Sequence, residues 1–364
     1  MDKKTIIKMN ILAIICIIIF SFSLAPKTLQ NDTYYTISIG KHIVENGIDR
    51  QDPFSWHDLK YTYPHWLYDV CMYMIYAVGG MHGIYISTVV LSCLLGVLLY
   101  ITNSKANKKP LISFIITIGV MFLLRDYIAA RAQLATFVLF VIEIYLVESF
   151  LEKTKIRYAL GLMIVACLIA NMHAAVFYFF FILLMPYIGE YLIVVVRDSF
   201  FMQRMDIANL KRKLNRLAKK PNKEEKIEKL KQKLDAKEEK FNMFKQSMLR
   251  RKENPYKVKL VKRDAVKWLI LIAILCFAMG LLTPIGDEPY THIFKLMHGN
   301  TTQNISEHQP LTLANHEGAI TTLVMLIILL MFTDTKISLK DLFMIIITFL
   351  KINIRVYLLG AITL

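Results

Sequence analysis

The stretch IIKMNILAIICIIIFSFSLA, which spans Ile6–Ala25, decides the fold class of this chain. An apolar helix of about 20 residues is long enough to cross the hydrocarbon core of a bilayer, and the stretch is almost uncharged. Trp268–Thr283 is similarly apolar, and the 364-residue chain is 55% hydrophobic, more than soluble domains usually are. The composition therefore predicts an all-α, polytopic transmembrane helical bundle with about eight to ten spans.

The distribution of basic residues predicts the orientation of the bundle. Lys3, Lys4 and Lys8 precede or begin the first apolar run, and basic residues next to a span favour the cytoplasmic side. A small-residue cleavage site at Ser23 and Ala25 is followed at once by Pro26, which predicts an uncleaved first helix. We therefore expect a multi-pass protein of the plasma membrane with a cytoplasmic N-terminus.

The net charge of +16 is concentrated in one hydrophilic insert. Residues 197–267 hold 24 basic and 10 acidic side chains, which is a net charge of +14. No aromatic residues alternate with the basic ones as a stacking surface for bases requires, so the charge does not predict nucleic-acid binding. The predicted organisation is an N-terminal membrane region (1–196) with a first outer loop (26–69), the basic insert (197–267), and a C-terminal membrane region (268–364) with a second outer loop (284–317).

The basic insert has a heptad-like apolar pattern. Leu210, Leu214 and Leu217 are spaced by four and three residues, and the pattern resumes after Pro221 at Ile227. Such a stripe predicts two helices that pack as a coiled-coil hairpin on the cytoplasmic side. Its role stays open between a solvated spacer and a docking site for a cytoplasmic protein partner.

The first outer loop combines an amphipathic segment with a dense set of aromatic residues. Ile37, Ile39 and Ile43 predict a helix that lies on the membrane surface, and Gly47 is a typical C-cap. The aromatic residues that follow suit a membrane–water boundary and also stack on sugar rings. They occur in the segments Asp52-Pro53-Phe54-Ser55-Trp56 and Tyr63-Pro64-His65-Trp66-Leu67-Tyr68-Asp69.

Five elements of the sequence, in order, resemble bacterial GT-C class membrane glycosyltransferases, relatives of the protein O-mannosyltransferases and of Rgt-type lipid-linked sugar transferases. The first element lies in the first outer loop and comprises Asp32-Thr33-Tyr34-Tyr35, Gly40-Lys41-His42-Ile43-Val44-Glu45-Asn46-Gly47, Asp52-Pro53-Phe54-Ser55 and His65-Trp66-Leu67. The other four are Arg131-Ala132-Gln133, Asn171-Met172-His173-Ala174-Ala175, Thr283-Pro284-Ile285-Gly286 and Ile305-Ser306-Glu307-His308-Gln309-Pro310. The chain departs from the family pattern where Ala132 replaces a proline, where Ala174 and Ala175 replace glycines, and where His308 replaces an aromatic residue. It also stops inside an apolar stretch, where such enzymes continue, which predicts a C-terminally truncated sequence.

The resemblance implies a hexosyltransferase that takes a sugar from a polyprenyl-phosphate donor and passes it, with inversion, to an acceptor at the extracytoplasmic face. In that function Asp32 is the general base, and Arg125, Arg131 and Arg355 bind the donor phosphate. The implied substrate-binding residues are His65, Trp66, Asn171, His173 and Glu307.

Each of these roles has a structural alternative. Asp32 could simply be the N-cap of the surface helix, and the arginines could extend to the lipid interface. His65, His173 and Glu307 could contact the acceptor or a divalent ion, although their spacing is not a metal signature. No other cofactor is implied. The five cysteines lie far apart and predict neither a zinc site nor a disulfide framework.

Other classes of function stay open at this point. A transporter or flippase of lipid-linked saccharide, or a non-catalytic membrane assembly protein, would suit the same composition. A transporter is expected to show paired structural halves, and no internal repeat is visible. A ligase or polymerase of cell-surface polysaccharide, which relies on arginine and histidine rather than on aspartate, is a third alternative.

Overall fold

The chain folds as an all-α protein. The computed structural model describes residues 2–26, 30–57, 60–218, 224–250, 258–298 and 337–344, together with positions 321, 324, 325 and 328. Its helices are α1 (Lys3–Leu24), α2 (Asn31–Asn46), α3 (Trp66–Asn107), α4 (Pro110–Leu123), α5 (Ala132–Lys153), α6 (Ile156–Met172), α7 (Phe177–Asp198), α8 (Phe201–Ala218), α9 (Glu224–Arg250), α10 (Val266–Met279) and α11 (Glu288–His298). Single 3₁₀ turns occur at Arg125–Tyr127 and Ala174–Val176.

Four of the described helices are long and apolar enough to cross a membrane. These candidate spans are Lys4–Leu24, Trp66–Asn107, Ala132–Lys153 and Ala174–Arg197, and three shorter apolar helices are Pro110–Leu123, Ile156–Met172 and Val266–Met279. The predicted all-α class is confirmed, with four helices of membrane-spanning length and composition. Glu307, Arg355 and most of the predicted second outer loop and late spans lie outside the described residues.

The chain divides into two compact units, and the first comprises Met1–Met185, Ala265–Ile328 and Ile345–Leu364. Within this unit α5 is the most enclosed candidate span. In its apolar 18-residue stretch 67% is buried, whereas only 17% of the corresponding stretch of α1 is buried. α5 packs against α3 and α6. An apolar cluster around Leu95 and Leu134 joins α3 to α5. α5 therefore forms the centre of the unit, and most of the surface of α1 remains open to the surroundings.

Close packing at Gly40 fixes α2 against the start of α3. A Cβ atom added at Gly40 would overlap the backbone carbonyl of Asp69 and lie 2.8 Å from the Cβ of Tyr73. Only a residue without a side chain permits this approach. Gly47 ends α2, as predicted, with a positive φ of 80° and its N–H bonded to the carbonyl of Ile43. α2 thus carries its first turn, with Asp32, to the region where α3 begins.

Helix α3 begins earlier than predicted. It includes Trp66 to Asp69, which were expected in the first outer loop, because Trp66 N–H already bonds to the carbonyl of Tyr63. The helix is interrupted at Gly80, whose φ of 56° and ψ of −152° are not helical. Glycine adopts this backbone conformation without the clash that a Cβ would cause. The break divides α3 into a short first part, which follows the loop after α2, and a longer second part.

The second unit comprises Pro186–Asp264 and Leu329–Met344, so it begins before the predicted insert and includes a later segment. Its main feature is the antiparallel pair α8 and α9, joined by ion pairs Lys211–Glu238 (2.8 Å) and Lys237–Asp206 (2.7 Å). Phe200 packs edge-on against Phe241 and Phe244. A two-stranded parallel sheet pairs β1 (Val258–Lys259) with β2 (Ile337–Ser338). The two helices predicted from the heptad-like pattern are therefore present and in contact.

Candidate functional site

A cavity of about 230 Å³ in the first unit brings together four of the predicted site residues. They come from four separate places in the chain: Asp32 from α2, His65 before α3, Arg131 before α5 and His173 after α6. Tyr35, Thr36, Ala132 and Gln133 complete the lining. The hollow is smaller than the pockets of about 300–1,000 Å³ that hold drug-sized ligands, so its size suits a small polar group or a single sugar ring.

Asp32 and Arg131 form a hydrogen-bonded ion pair at the cavity. The Asp32 side chain is 56% exposed and that of Arg131 is 23% exposed. A second bond, from Thr33 Oγ1 to the carbonyl of Ala130 (3.3 Å), ties the same two segments together. The alternative prediction that Asp32 is the N-cap of its helix is wrong. The N-cap is Gln30, and the Asp32 carboxylate contacts a guanidinium 99 residues away in the chain.

His65 is oriented by a buried carboxylate behind it. Its Nδ1 lies 2.8 Å from both carboxyl oxygens of Asp69, whose side chain is 0% exposed. Burial lowers the pKa of His65, but the charge and the hydrogen bond of Asp69 outweigh it and hold that pKa above its usual value. Because Nδ1 is occupied by Asp69, Nε2 is the ring nitrogen left for a ligand. Asp69 therefore favours a cationic imidazole whose Nε2–H is a donor.

His173 has the opposite electrostatic character. Burial, with the charges of His65 and His292 as smaller causes, lowers the pKa of His173 to about 3, so the ring is neutral at physiological pH. Its Nδ1 lies 3.0 Å from Thr136 Oγ1, and the single hydroxyl proton of Thr136 goes to the carbonyl of Ala132 (2.9 Å). Nδ1–H must then be the donor to Thr136, which leaves an unprotonated Nε2 as an acceptor.

A backbone contact brings the two histidines together. The N–H of Ala174 bonds to the carbonyl of Pro64 at 2.7 Å, so the residues next to each histidine are joined directly. The two imidazole rings meet edge to face with centroids 6.3 Å apart. One ring favours donating and the other accepts. This pair is suited to a hydroxyl group, which is both a donor and an acceptor.

Trp66 and Asn171, predicted as substrate-binding residues, contact each other and do not line the cavity. Trp66 Nε1 donates to Asn171 Oδ1 at 3.1 Å, and Asn171 Nδ2 donates to the carbonyls of Cys167 (2.8 Å) and Leu282 (3.0 Å). The side chain of Asn171 thus joins α6 to the segment just before Thr283. One of the elements quoted for the family resemblance therefore contacts the residue directly before another.

Arg125 does not reach the cavity either. It lies in the 3₁₀ turn before α5, where its Nε is 3.5 Å from the carboxylate of Asp126 and its guanidinium is 4.3 Å from the ring centre of Phe122. Nearly half of its side chain is exposed. Among the described residues that were predicted to bind phosphate, Arg131 therefore lines the cavity and Arg125 does not.

Sequence reasoning missed a second cluster of charged residues on α11. Glu288 is almost fully buried and accepts bonds from His292 Nδ1 (2.6 Å) and Lys295 Nζ (2.5 Å). Burial raises the pKa of Glu288, but the hydrogen bonds and charges of His292 and Lys295 have a larger, opposite effect. The resulting pKa of Glu288 is about 2. The helix packs on the turn Ala174–Val176 that follows His173. The spacing of four and seven residues on one helix face was the available signal.

Comparison with known protein families, with curated proteins and with solved structures finds no match to this chain. Within the described part of the chain, no group of three or more histidine, cysteine, aspartate or glutamate side chains is arranged to hold a metal ion. The chemistry of the cavity therefore depends on its own side chains, above all on the four that were predicted as site residues. They offer one accessible carboxylate, one guanidinium and two imidazoles of opposite hydrogen-bonding character.

Proposed function

We propose that this protein is a membrane glycosyltransferase of the GT-C type, which moves a sugar from a polyprenyl-phosphate donor to an acceptor hydroxyl at the extracytoplasmic face. One observation carries the proposal: Asp32, Arg131, His65 and His173, from distant parts of the chain, line one small cavity. A general base and a phosphate-binding cation are the two groups that transfer from a sugar phosphate most needs.

The chemistry is a single displacement. Asp32 removes the proton of the acceptor hydroxyl while the hydroxyl oxygen attacks the anomeric carbon of the sugar. The bond between that carbon and the phosphate oxygen breaks, and the polyprenyl phosphate leaves with the electron pair. Arg131 stabilises the leaving phosphate, because guanidinium and phosphate match as a bidentate pair. One displacement without a covalent enzyme intermediate inverts the anomeric centre.

The remaining lining of the cavity suits a sugar ring. The opposed imidazoles of His65 and His173 provide a donor and an acceptor for a ring hydroxyl. Tyr35 adds an aromatic surface, supported by Phe54 with ring centroids 5.4 Å apart. Aromatic faces and directed hydroxyl contacts are the usual means of binding a carbohydrate ring.

In this proposal the architecture is a polytopic bundle of about eight to ten spans, to which the shorter apolar helices and the late apolar segments contribute. α2 lies on the outer surface of the plasma membrane with Asp32 facing the donor, and the N-terminus is cytoplasmic. The α8–α9 hairpin is on the cytoplasmic side, as its lysine-rich composition favours.

Asp32→Asn tests the proposal directly. We expect this substitution to lower the rate of sugar transfer by roughly 10²- to 10⁴-fold, the usual contribution of a general base, while the protein remains inserted and folded. The measurement is transfer from a panel of radiolabelled polyprenyl-phosphate hexoses by protein reconstituted in nanodiscs.

Asp126→Asn is the matched control, because Asp126 is also an exposed acid beside an arginine but does not line the cavity. It should leave transfer unchanged. Transfer that survives Asp32→Asn would exclude Asp32 as the base. If Arg131→Ala abolished activity while Asp32→Asn did not, the ligase or polymerase alternative would be favoured instead.

A further inference from the structure

We propose that the donor phosphate displaces Asp32 from Arg131, so that the base becomes available only when the donor is in place. The identity of the ligand as a lipid-linked phosphate rests on the proposed function. The displacement itself rests on the ion pair between Asp32 and Arg131 at the cavity. A carboxylate bound to this guanidinium is neutralised, and it occupies the oxygen sites that a phosphate would use.

The two partners differ in their freedom to move. Arg131 is the less exposed of the two and comes from an extended residue immediately before α5. Asp32 is more than half exposed and lies in the first turn of α2, where rotation of its short side chain is enough to break the pair. A phosphate that enters the cavity therefore meets a fixed cation with a movable counter-ion.

The position of Arg131 favours the phosphate over the carboxylate. The side chain stands at the beginning of a 22-residue helix whose first residues, Ala132 and Gln133, also line the cavity. The free N–H groups and the dipole at such an end attract anions, so the two unesterified oxygens of a donor phosphodiester can bind to the guanidinium and to the helix end together. The cation favoured at His65 adds to this attraction.

The counter-ion of His65 cannot take part in the exchange. Asp69 is fully buried and bonds to the histidine through both carboxyl oxygens. Among the described residues that line the cavity, Asp32 is the acidic one. A phosphate that needs a cation in this cavity therefore competes with Asp32.

Displacement would also make Asp32 a better base. Once released, the carboxylate loses its cation and gains a negatively charged neighbour, and both changes favour its taking a proton. The acceptor hydroxyl would then be deprotonated only after the donor had bound. The reaction therefore follows an ordered sequence in which the donor precedes the acceptor.

Phosphate binding without any acceptor tests the displacement independently of sugar transfer. Full-length protein in nanodiscs is titrated with radiolabelled undecaprenyl phosphate, with inorganic phosphate, and with neutral undecaprenol. Since Asp32→Asn removes the competing carboxylate, we expect it to tighten binding of undecaprenyl phosphate by about 3- to 10-fold. Arg131→Gln should weaken that binding by about 10-fold or more, and Asp126→Asn should leave it unchanged.

Two further comparisons make the result decisive. In the Arg131→Gln background, Asp32→Asn should have no additional effect, because Arg131, the cation that Asp32 pairs with, is absent. Asp32→Ser also removes the carboxylate and should tighten binding as Asp32→Asn does, so it can replace Asp32→Asn if that variant folds poorly.

Weaker or unchanged binding of undecaprenyl phosphate by both folded variants would overturn the displacement. Tighter binding of inorganic phosphate alone would overturn the assignment to a lipid-linked ligand. If Asp32→Asn tightened binding of undecaprenyl phosphate but the unsubstituted protein transferred no sugar, the displacement would stand and the proposed function would be rejected.

Discussion

The charged groups around the cavity and those of the α8–α9 hairpin are both arranged in pairs, but they differ in burial. At the cavity, Asp69 is 0% exposed and makes two short bonds to one histidine. In the hairpin, Lys211 and Glu238 are 57% and 39% exposed. Water screens exposed pairs and leaves them worth little, whereas breaking a buried pair leaves a poorly solvated charge. Burial, rather than the number of ion pairs, thus distinguishes the pair of His65 and Asp69, which fixes geometry, from the exposed pairs of the hairpin.

The largest expected effect comes from moving α2 away from α3. Gly40→Ala places a methyl group on the backbone of Asp69, so the helices must separate and the cavity loses its shape. We expect a loss of more than about 3 kcal/mol in unfolding free energy, at the upper end for overpacking, together with loss of sugar transfer. Thermal unfolding in detergent micelles measures the first effect and the nanodisc assay the second.

Gly119→Ala is the matched control, since an added Cβ there meets nothing within 4 Å and alanine favours a helix. It should leave the stability unchanged or slightly higher. A Gly40→Ala protein as stable as this control would mean that close contact between α2 and α3 is not required.

The buried acid on α11 should give a pH-dependent effect. The pKa of Glu288 is about 2 in the folded protein and 4.5 in an ordinary environment. The ionised form therefore stabilises the fold fully above about pH 4.5, and this contribution is lost as the pH falls through 2. Glu288→Gln should cost about 3 kcal/mol near pH 6 and progressively less towards pH 2. Unfolding of both proteins at pH 2.5, 4 and 6 measures the difference.

Glu45→Gln provides the comparison, because Glu45 is exposed and pairs with Lys41 at 3.8 Å on the surface of α2. Its effect on stability should be small at each of these pH values. If Glu288→Gln cost the same at all three pH values, its ion pairs with His292 and Lys295 would not be the source of the stabilisation.

The smallest expected effect is in the hairpin. Lys237→Met breaks an exposed pair with Asp206 and should change the unfolding free energy by less than about 1 kcal/mol. Leu234→Ala, at a buried position of the same helix, should cost about 2 kcal/mol or more. Helix content on heating compares the two variants. A larger loss from Lys237→Met than from Leu234→Ala would contradict the view that the apolar seam holds this pair of helices.

The amino-acid sequence by itself determined several of the helices and some of their ends. Apolar runs longer than a bilayer core, the four- and three-residue spacing of Leu210, Leu214 and Leu217, and Gly47 at the end of α2 are local signals, and the helices follow them. They are readable because helix formation depends on neighbours three to four residues apart. The family resemblance suggested the four cavity residues, but it placed Arg125, Trp66 and Asn171 with them.

The partners of the site were decided by tertiary structure. Arg131 contacts Asp32 across 99 residues, and His173 contacts Thr136 across 37. No local pattern encodes these distances, since they depend on how α2, α3, α5 and α6 pack. The same packing raises the pKa of His65 and lowers that of His173, because the pKa of an imidazole follows burial and nearby charge rather than residue type.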